Sequence, residues 1–148
     1  MLTVALCLAF AAQGAALALT WPSGRAATAV RATLADEVVR QVNMERAKRG
    51  LGALRVSAEL TRAARVRGNE ITRKFSHTRP DGTAWRTVSS AAFGENIAMG
   101  QRTADKVMAA WMTSSGHRAN ILRPSYGSIG VCAIVSGGVT YWAQLFGK

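Results

Sequence analysis

The chain has 148 residues, 49% of them hydrophobic, with 19 Lys and Arg against 8 Asp and Glu and a formal net charge of +11. That length suits one domain able to bury a core without disulfide staples, and the apolar content excludes an intrinsically disordered chain. The charge favours acidic partners such as lipid head groups, anionic wall polymers or nucleic acid. The basic residues are scattered, however, 15 Arg against 4 Lys, with no basic block and no aromatic interleaving, so no specific nucleic-acid site is marked.

Residues 1 to 20, MLTVALCLAFAAQGAALALT, carry no charged side chain. The run is marginal for a membrane span, which needs about 20 apolar residues. Its small-x-small end at Ala16 and Ala18 suits signal peptidase, so residues 1–18 read as a signal peptide cleaved near Ala18. No Lys or Arg precedes Arg25, which leaves the basic n-region to the terminal amine. A retained membrane anchor is the alternative, and a buried helix of the domain is a third. Cleavage makes the mature protein secreted or periplasmic, removes Cys7 and leaves Cys132 alone, so no intramolecular disulfide is expected. Cys132, within IGVCAIV, reads as a buried small hydrophobe.

Residues 19–31 read as a connector and residues 32–148 as the folded domain. From Ala32 to Arg49, Leu34, Val38 and Val42 recur at helical spacing, with acids at the start and bases at the end as the helix dipole favours. Gly50 and Gly52 stop that helix. Ser57 can cap a second one, in which Leu60, Ala64, Gly68, Ile71 and Phe75 step by three or four residues, ending near Phe75. SHTRPDGT then forms a loop with a turn at Pro80-Asp81-Gly82, and FGENIAMG reads as a short strand or tight loop. Thr103 can cap a third helix through Val107, Ala110 and Trp111, broken at Gly116. GSIGVCAIV and VTYWAQLFG are β-rich and meet at Ser136-Gly137-Gly138, a hairpin turn. Helices first and a terminal hairpin last give an α+β fold, helices packed on an antiparallel sheet.

Taken together, GENIAMG, AAWMTSSGHRANIL and YWAQLFG resemble the CAP superfamily, that of cysteine-rich secretory proteins, antigen 5 and pathogenesis-related 1 proteins, or SCP-like extracellular domains. VNMERAKRGLGALRVSAEL and FSHTRPDG extend the likeness upstream, so it spans about residues 36 to 147 and is closest to the short bacterial members. The resemblance implies a three-layer α-β-α sandwich ending in an antiparallel hairpin, with a surface cleft. In many members that cleft holds two histidines and two acids able to bind a divalent metal such as zinc. By the resemblance, His77 is the first histidine, Glu95 the glutamate of Gly-Glu-Asn, and His117 the histidine of Gly-His. The second acid, expected three residues after the tryptophan of the third helix, is absent. Counted from Trp111, its place is taken by Ser114.

Two imidazoles and one carboxylate suffice for zinc with water in an open fourth position, and that water would suit a hydrolase. Glu95 would then be a third ligand or a general base, not both. The same residues also serve plain structure, since a histidine beside a glycine turn often locks its loop onto a backbone carbonyl and Glu95 could hold such a ring. Asn96 and Asn120 are expected to tie down loops, and Asn96, Ser114 and Gln144 are expected to line the cleft, Gln144 as a candidate polar group at its edge. Trp111 and Trp142 read as packing residues.

Two functions follow. The first is an exported, monomeric binding module presenting the His/Glu cleft to a lipid, a cell-wall fragment or a protein, with or without zinc or another divalent cation. The second is a metal-dependent hydrolase or peptidase using His77, His117 and Glu95. The missing acid and the lack of any Ser/His/Asp arrangement favour the first. Binding to anionic polymers through the net charge is compatible with it.

Overall fold

A computed structural model describes residues 24–148, with side chains from residue 34 onward. The signal peptide read over residues 1–18, Cys7 and the start of the connector lie outside the described residues. Helix α1 spans Gly24–Ala47, strand β1 Arg55–Val56 and helix α2 Ala58–Ile71. A single 3-10 turn at Trp85–Val88 precedes strand β2, Gly94–Met99. Helix α3, Ala104–Thr113, and helix α4, Ser115–Ile121, lead into the strands β3, Ser128–Ser136, and β4, Val139–Gly147.

Three boundaries differ from the sequence reading, each for a local reason. Helix α1 takes in residues 24–31, read as connector, because the Ala-rich GRAATAVRA contains nothing that opposes helix once it has started. Helix α2 starts on its expected cap, with the Ser57 hydroxyl accepting from the Leu60 N–H, but ends at Ile71 and leaves Phe75 45% exposed beyond it. The break after α3 falls at Ser114, whose backbone is extended (φ −86°, ψ 121°), and Gly116 sits inside α4.

The sheet has the order β1-β3-β4-β2. Strands β3 and β4 pair antiparallel from Ser128 opposite Gly147 to Ser136 opposite Val139. Gly137 and Gly138 make the turn with φ of 55° and 76°, a conformation that glycine adopts without penalty. Strand β2 pairs antiparallel with β4, and β1 pairs parallel with the start of β3. Residues on β4 alternate between the two faces. Trp142 and Phe146 join Val38, Val42, Val107 and Trp111 beneath α1, α3 and α4. Ala143 and Leu145 join Leu60, Ala64, Ile71 and Ile97 beneath α2. The result is the α-β-α sandwich of the α+β class.

Helix α2 lies so close to the sheet that a Cβ at Gly130 would overlap the Leu60 carbonyl and the Thr61 nitrogen, both main chain. Gly130→Ala is therefore expected to lower stability by about 3 kcal/mol, the upper end for overpacking. A Cβ at Gly116 meets nothing within 4 Å, and Gly116→Ala in α4 should be neutral or stabilising. Urea unfolding of the two variants checks both signs.

Candidate functional site

The site forms where the end of α2, the loop after it, β2 and α4 meet. Arg67 and Glu70 sit three residues apart on α2, so both point from its buried face toward the sheet. Arg67 has no solvent exposure. Its Nε donates to Glu95 Oε2 at 2.6 Å, its Nη1 to Glu70 Oε2 at 2.6 Å, and its Nη2 to the Ser76 carbonyl at 2.7 Å and to Glu95 Oε1 at 3.3 Å. Arg79 closes the other end, with Nη2 donating to Glu70 Oε1 at 2.7 Å. The order Glu95–Arg67–Glu70–Arg79 alternates in sign and sums to zero charge. Burial opposes the charge on Arg67, yet the bonds to Glu95 and Glu70 outweigh it and raise its pKa. Burial also works to raise the Glu70 pKa, and the bonds from Arg79 and Arg67 leave it lowered.

His77 stands over this network. Its Nδ1 is 2.8 Å from Glu95 Oε1, while the ring is 54% exposed and the Glu95 side chain only 1%. The His77 carbonyl accepts from the Trp85 N–H, Thr78 bridges to Ala84, and Asp81 accepts from the N–H of Thr83, so the loop is closed on itself. Imidazole on a carboxylate fixes which ring nitrogen faces out: Nε2 of His77 is presented to solvent.

His117 is delivered by α4 and is half-buried. Burial lowers its pKa, and the nearby His77 lowers it further. Helix α4 is held by amides. Asn96 Nδ2 donates to the His117 carbonyl at 3.1 Å and to Gln144 Oε1 at 2.9 Å, and Asn120 Nδ2 donates to the Glu95 carbonyl at 3.1 Å and to Asn96 Oδ1 at 3.0 Å. Asn96 and Gln144 have no exposure, so neither lines a cleft edge, and the expectation for both is corrected: they form the layer under the site. Gln144 alternates onto the same face of β4 as Trp142 and Phe146, and its side chain is bonded to Asn96. Ser114, half-buried, gives the hinge between α3 and α4 and makes no side-chain cap bond.

The arrangement does not fit the three-ligand metal set read from the sequence. Among the described residues, no three His, Cys, Asp or Glu side chains are placed to hold a metal ion. Glu95 Oε2 is taken by Arg67, and Oε1 by Arg67 and His77. A buried guanidinium repels any cation that approaches those oxygens.

Sequence reasoning missed Arg67. The signal was available, since Arg67 and Glu70 fall on the same helical face as Leu60, Ala64 and Ile71, where an apolar side chain is expected.

Such an α-β-α sandwich, with a histidine seated on the buried glutamate of Gly-Glu-Asn, defines a class, and comparison with known proteins agrees. The model of the cysteine-rich secretory protein (CAP) family matches residues 39–146, and the chain belongs to that family. It is 39% identical over 118 residues to the uncharacterized protein YkwD of Bacillus subtilis, a match covering 74% of this chain and 45% of YkwD. The chain thus spans less than half the length of that relative. Among solved structures, an extracellular SCP-domain protein of Bacillus anthracis is similar with a TM-score of 0.71 and 20% identity, over 87% of this chain and 45% of that one. A cysteine-rich secretory protein of Staphylococcus aureus is similar with a TM-score of 0.62 and 17% identity, over 86% of this chain and 40% of that one. The family is of extracellular type, and among the described residues no helix is long and apolar enough to cross a membrane.

Two outcomes are expected from this geometry. Arg67→Met leaves two buried carboxylates facing each other and should cost about 3–5 kcal/mol in urea unfolding. Restoring neutrality in Arg67→Met/Glu95→Gln, which leaves the Glu70–Arg79 pair, should recover part of that loss. The second outcome concerns pH. The His117 pKa is below that of the unfolded chain, so the unfolded state binds the proton first as pH falls. Stability should therefore decline from about pH 6.5 downward through the folded pKa of His117, with no contribution above about pH 6.5. His117→Ala should flatten that part of the profile, and an unchanged slope would refute the assignment.

Proposed function

We propose that the chain is an exported binding module that presents His77 and His117 to an extracellular ligand, with Glu95 as the fixed anchor of His77. One observation carries this reading: the exposed His77 ring rests on a carboxylate whose oxygens are already committed to a buried arginine. The cleft thus offers two imidazole edges on a rigid, charge-neutral floor. Neutral imidazole gives one donor and one acceptor, which suits polar head groups, glycan hydroxyls and peptide groups alike. The ligand classes are those of the sequence reading, a lipid, a cell-wall fragment or another protein, and the net charge of +11 adds a preference for anionic surfaces.

The test is co-sedimentation with phosphatidylglycerol vesicles, phosphatidylcholine vesicles and purified peptidoglycan at low and high salt. Retention on one of these that drops at least tenfold in both His77→Ala and His117→Ala supports a histidine cleft. Retention that both variants keep, or no retention on any probe at low salt, removes the reading. A steep loss with salt assigns the contact to charge rather than to the cleft.

Hydrolysis is the second reading, favoured by the His77 to Glu95 contact, since a carboxylate-oriented imidazole is the geometry of a general base. Peptide-library cleavage that persists in His77→Ala would eliminate it.

A further inference from the structure

The sheet has an edge only partly covered among the described residues, at β3, away from the histidines. Strand β1 covers β3 only at Ser128 and Ile129. The Ile129 carbonyl accepts from the Ser57 N–H on that side. Backbone groups alternate along a strand, so Val131, Ala133 and Val135 direct their N–H and C=O groups the same way. Among the described residues no strand continues β1 to receive them. This edge is the floor of a groove of about 340 Å³. Ala35, Asp36 and Val39 of α1 form one wall, and Thr61, Arg65 and Asn69 of α2 form the other.

The walls differ in chemistry. Ala35 and Val39 give the α1 side an apolar surface with Asp36 at its rim, whereas the α2 side is polar and basic. On α1 the exposed Arg40, Lys48 and Arg49 are each paired with Glu37 or Glu45. Arg65 is exposed and has no acidic partner among the described residues. A strand laid on β3 points its side chains alternately at these two walls.

We propose that this groove takes an extended segment of another polypeptide as an added strand on β3, its apolar side chains against Ala35 and Val39 and its carboxylates toward Arg65. The unpaired backbone groups supply recognition of the main chain, and the walls select apolar–acidic alternation. The volume holds roughly three residues, which span about 10 Å in extended form. A second copy cannot present its own β3 here, because each such edge is recessed between two helices and only a slender segment reaches the floor. The site is separate from the histidine site, which is built at β2, the opposite edge of the sheet.

The experiment is a nuclear magnetic resonance titration of the full chain with a short peptide alternating valine and glutamate. A valine–lysine peptide and a backbone N-methylated valine–glutamate peptide serve as controls. The expected result is saturable binding that slows amide exchange of Val131, Ala133 and Val135. Affinity should be at least tenfold weaker for either control, and Arg65→Glu should reverse the preference between glutamate and lysine. His77→Ala should bind the peptide unchanged, which separates this site from the cleft. Lack of binding, binding that spares those three amides, or equal affinity for the N-methylated peptide would overturn the proposal. Amides already protected in the free chain would overturn it as well, since the edge would then be covered by part of the chain itself.

Discussion

Arg67 is a full positive charge with no access to water, and it is clamped between carboxylates from two layers of the sandwich. Glu70 comes from its own helix and Glu95 from β2. Desolvating such ions costs several kcal/mol each, and the cost is offset only because every charge meets another of opposite sign in good geometry. The same guanidinium also takes the Ser76 carbonyl, so it fixes the residue just before His77. One side chain thus joins helix, strand and loop at the point where the first histidine emerges. The neutral sum of the network keeps the floor of the site electrically quiet within a strongly basic protein.

A second buried arginine does similar work at the other histidine. Arg46, 1% exposed near the end of α1, donates to the carbonyls of Gly52, Ile121, Arg123 and Tyr126. Burial lowers its pKa, and no ion pair offsets this among the described residues. Its partners include carbonyls at and after the end of α4, the groups that a helix leaves unsatisfied. With the amide chain of Asn96, Asn120 and Gln144 beneath, α4 is held at both its C-terminal end and its inner face. His117 rides on an element too short to be stable alone.

Much of this was legible in the chain, and the reasons differ by element. Ser57 and Thr103 announced their helices because a hydroxyl ahead of an apolar period has a single use there. Gly137 and Gly138 announced the hairpin because only glycine takes two consecutive positive φ values cheaply. The motif order pointed to the fold and to His77, Glu95 and His117. Strand β1 was invisible, since two residues carry no period. The surroundings of Glu95 were illegible for a different reason. A carboxylate's chemistry depends on what already occupies its oxygens, and its occupant lies 28 positions away in sequence on another element. Gln144 was placed on the correct face of β4 but not at the correct depth, because strand alternation says nothing of what lies above a face.

Strand β4 lies inside the sheet, between β3 and β2, yet it is the last element along the chain. Vectorial synthesis therefore delivers the keystone after everything that leans on it. Until Val139–Gly147 emerges, β2 has no neighbour to bond and the layers on either side share no complete surface. Trp142, Leu145 and Phe146, all without exposure in the finished fold, are missing from every shorter nascent chain. Premature compaction of this domain is thus disfavoured by its topology, and its two layers close only when the central strand arrives between them.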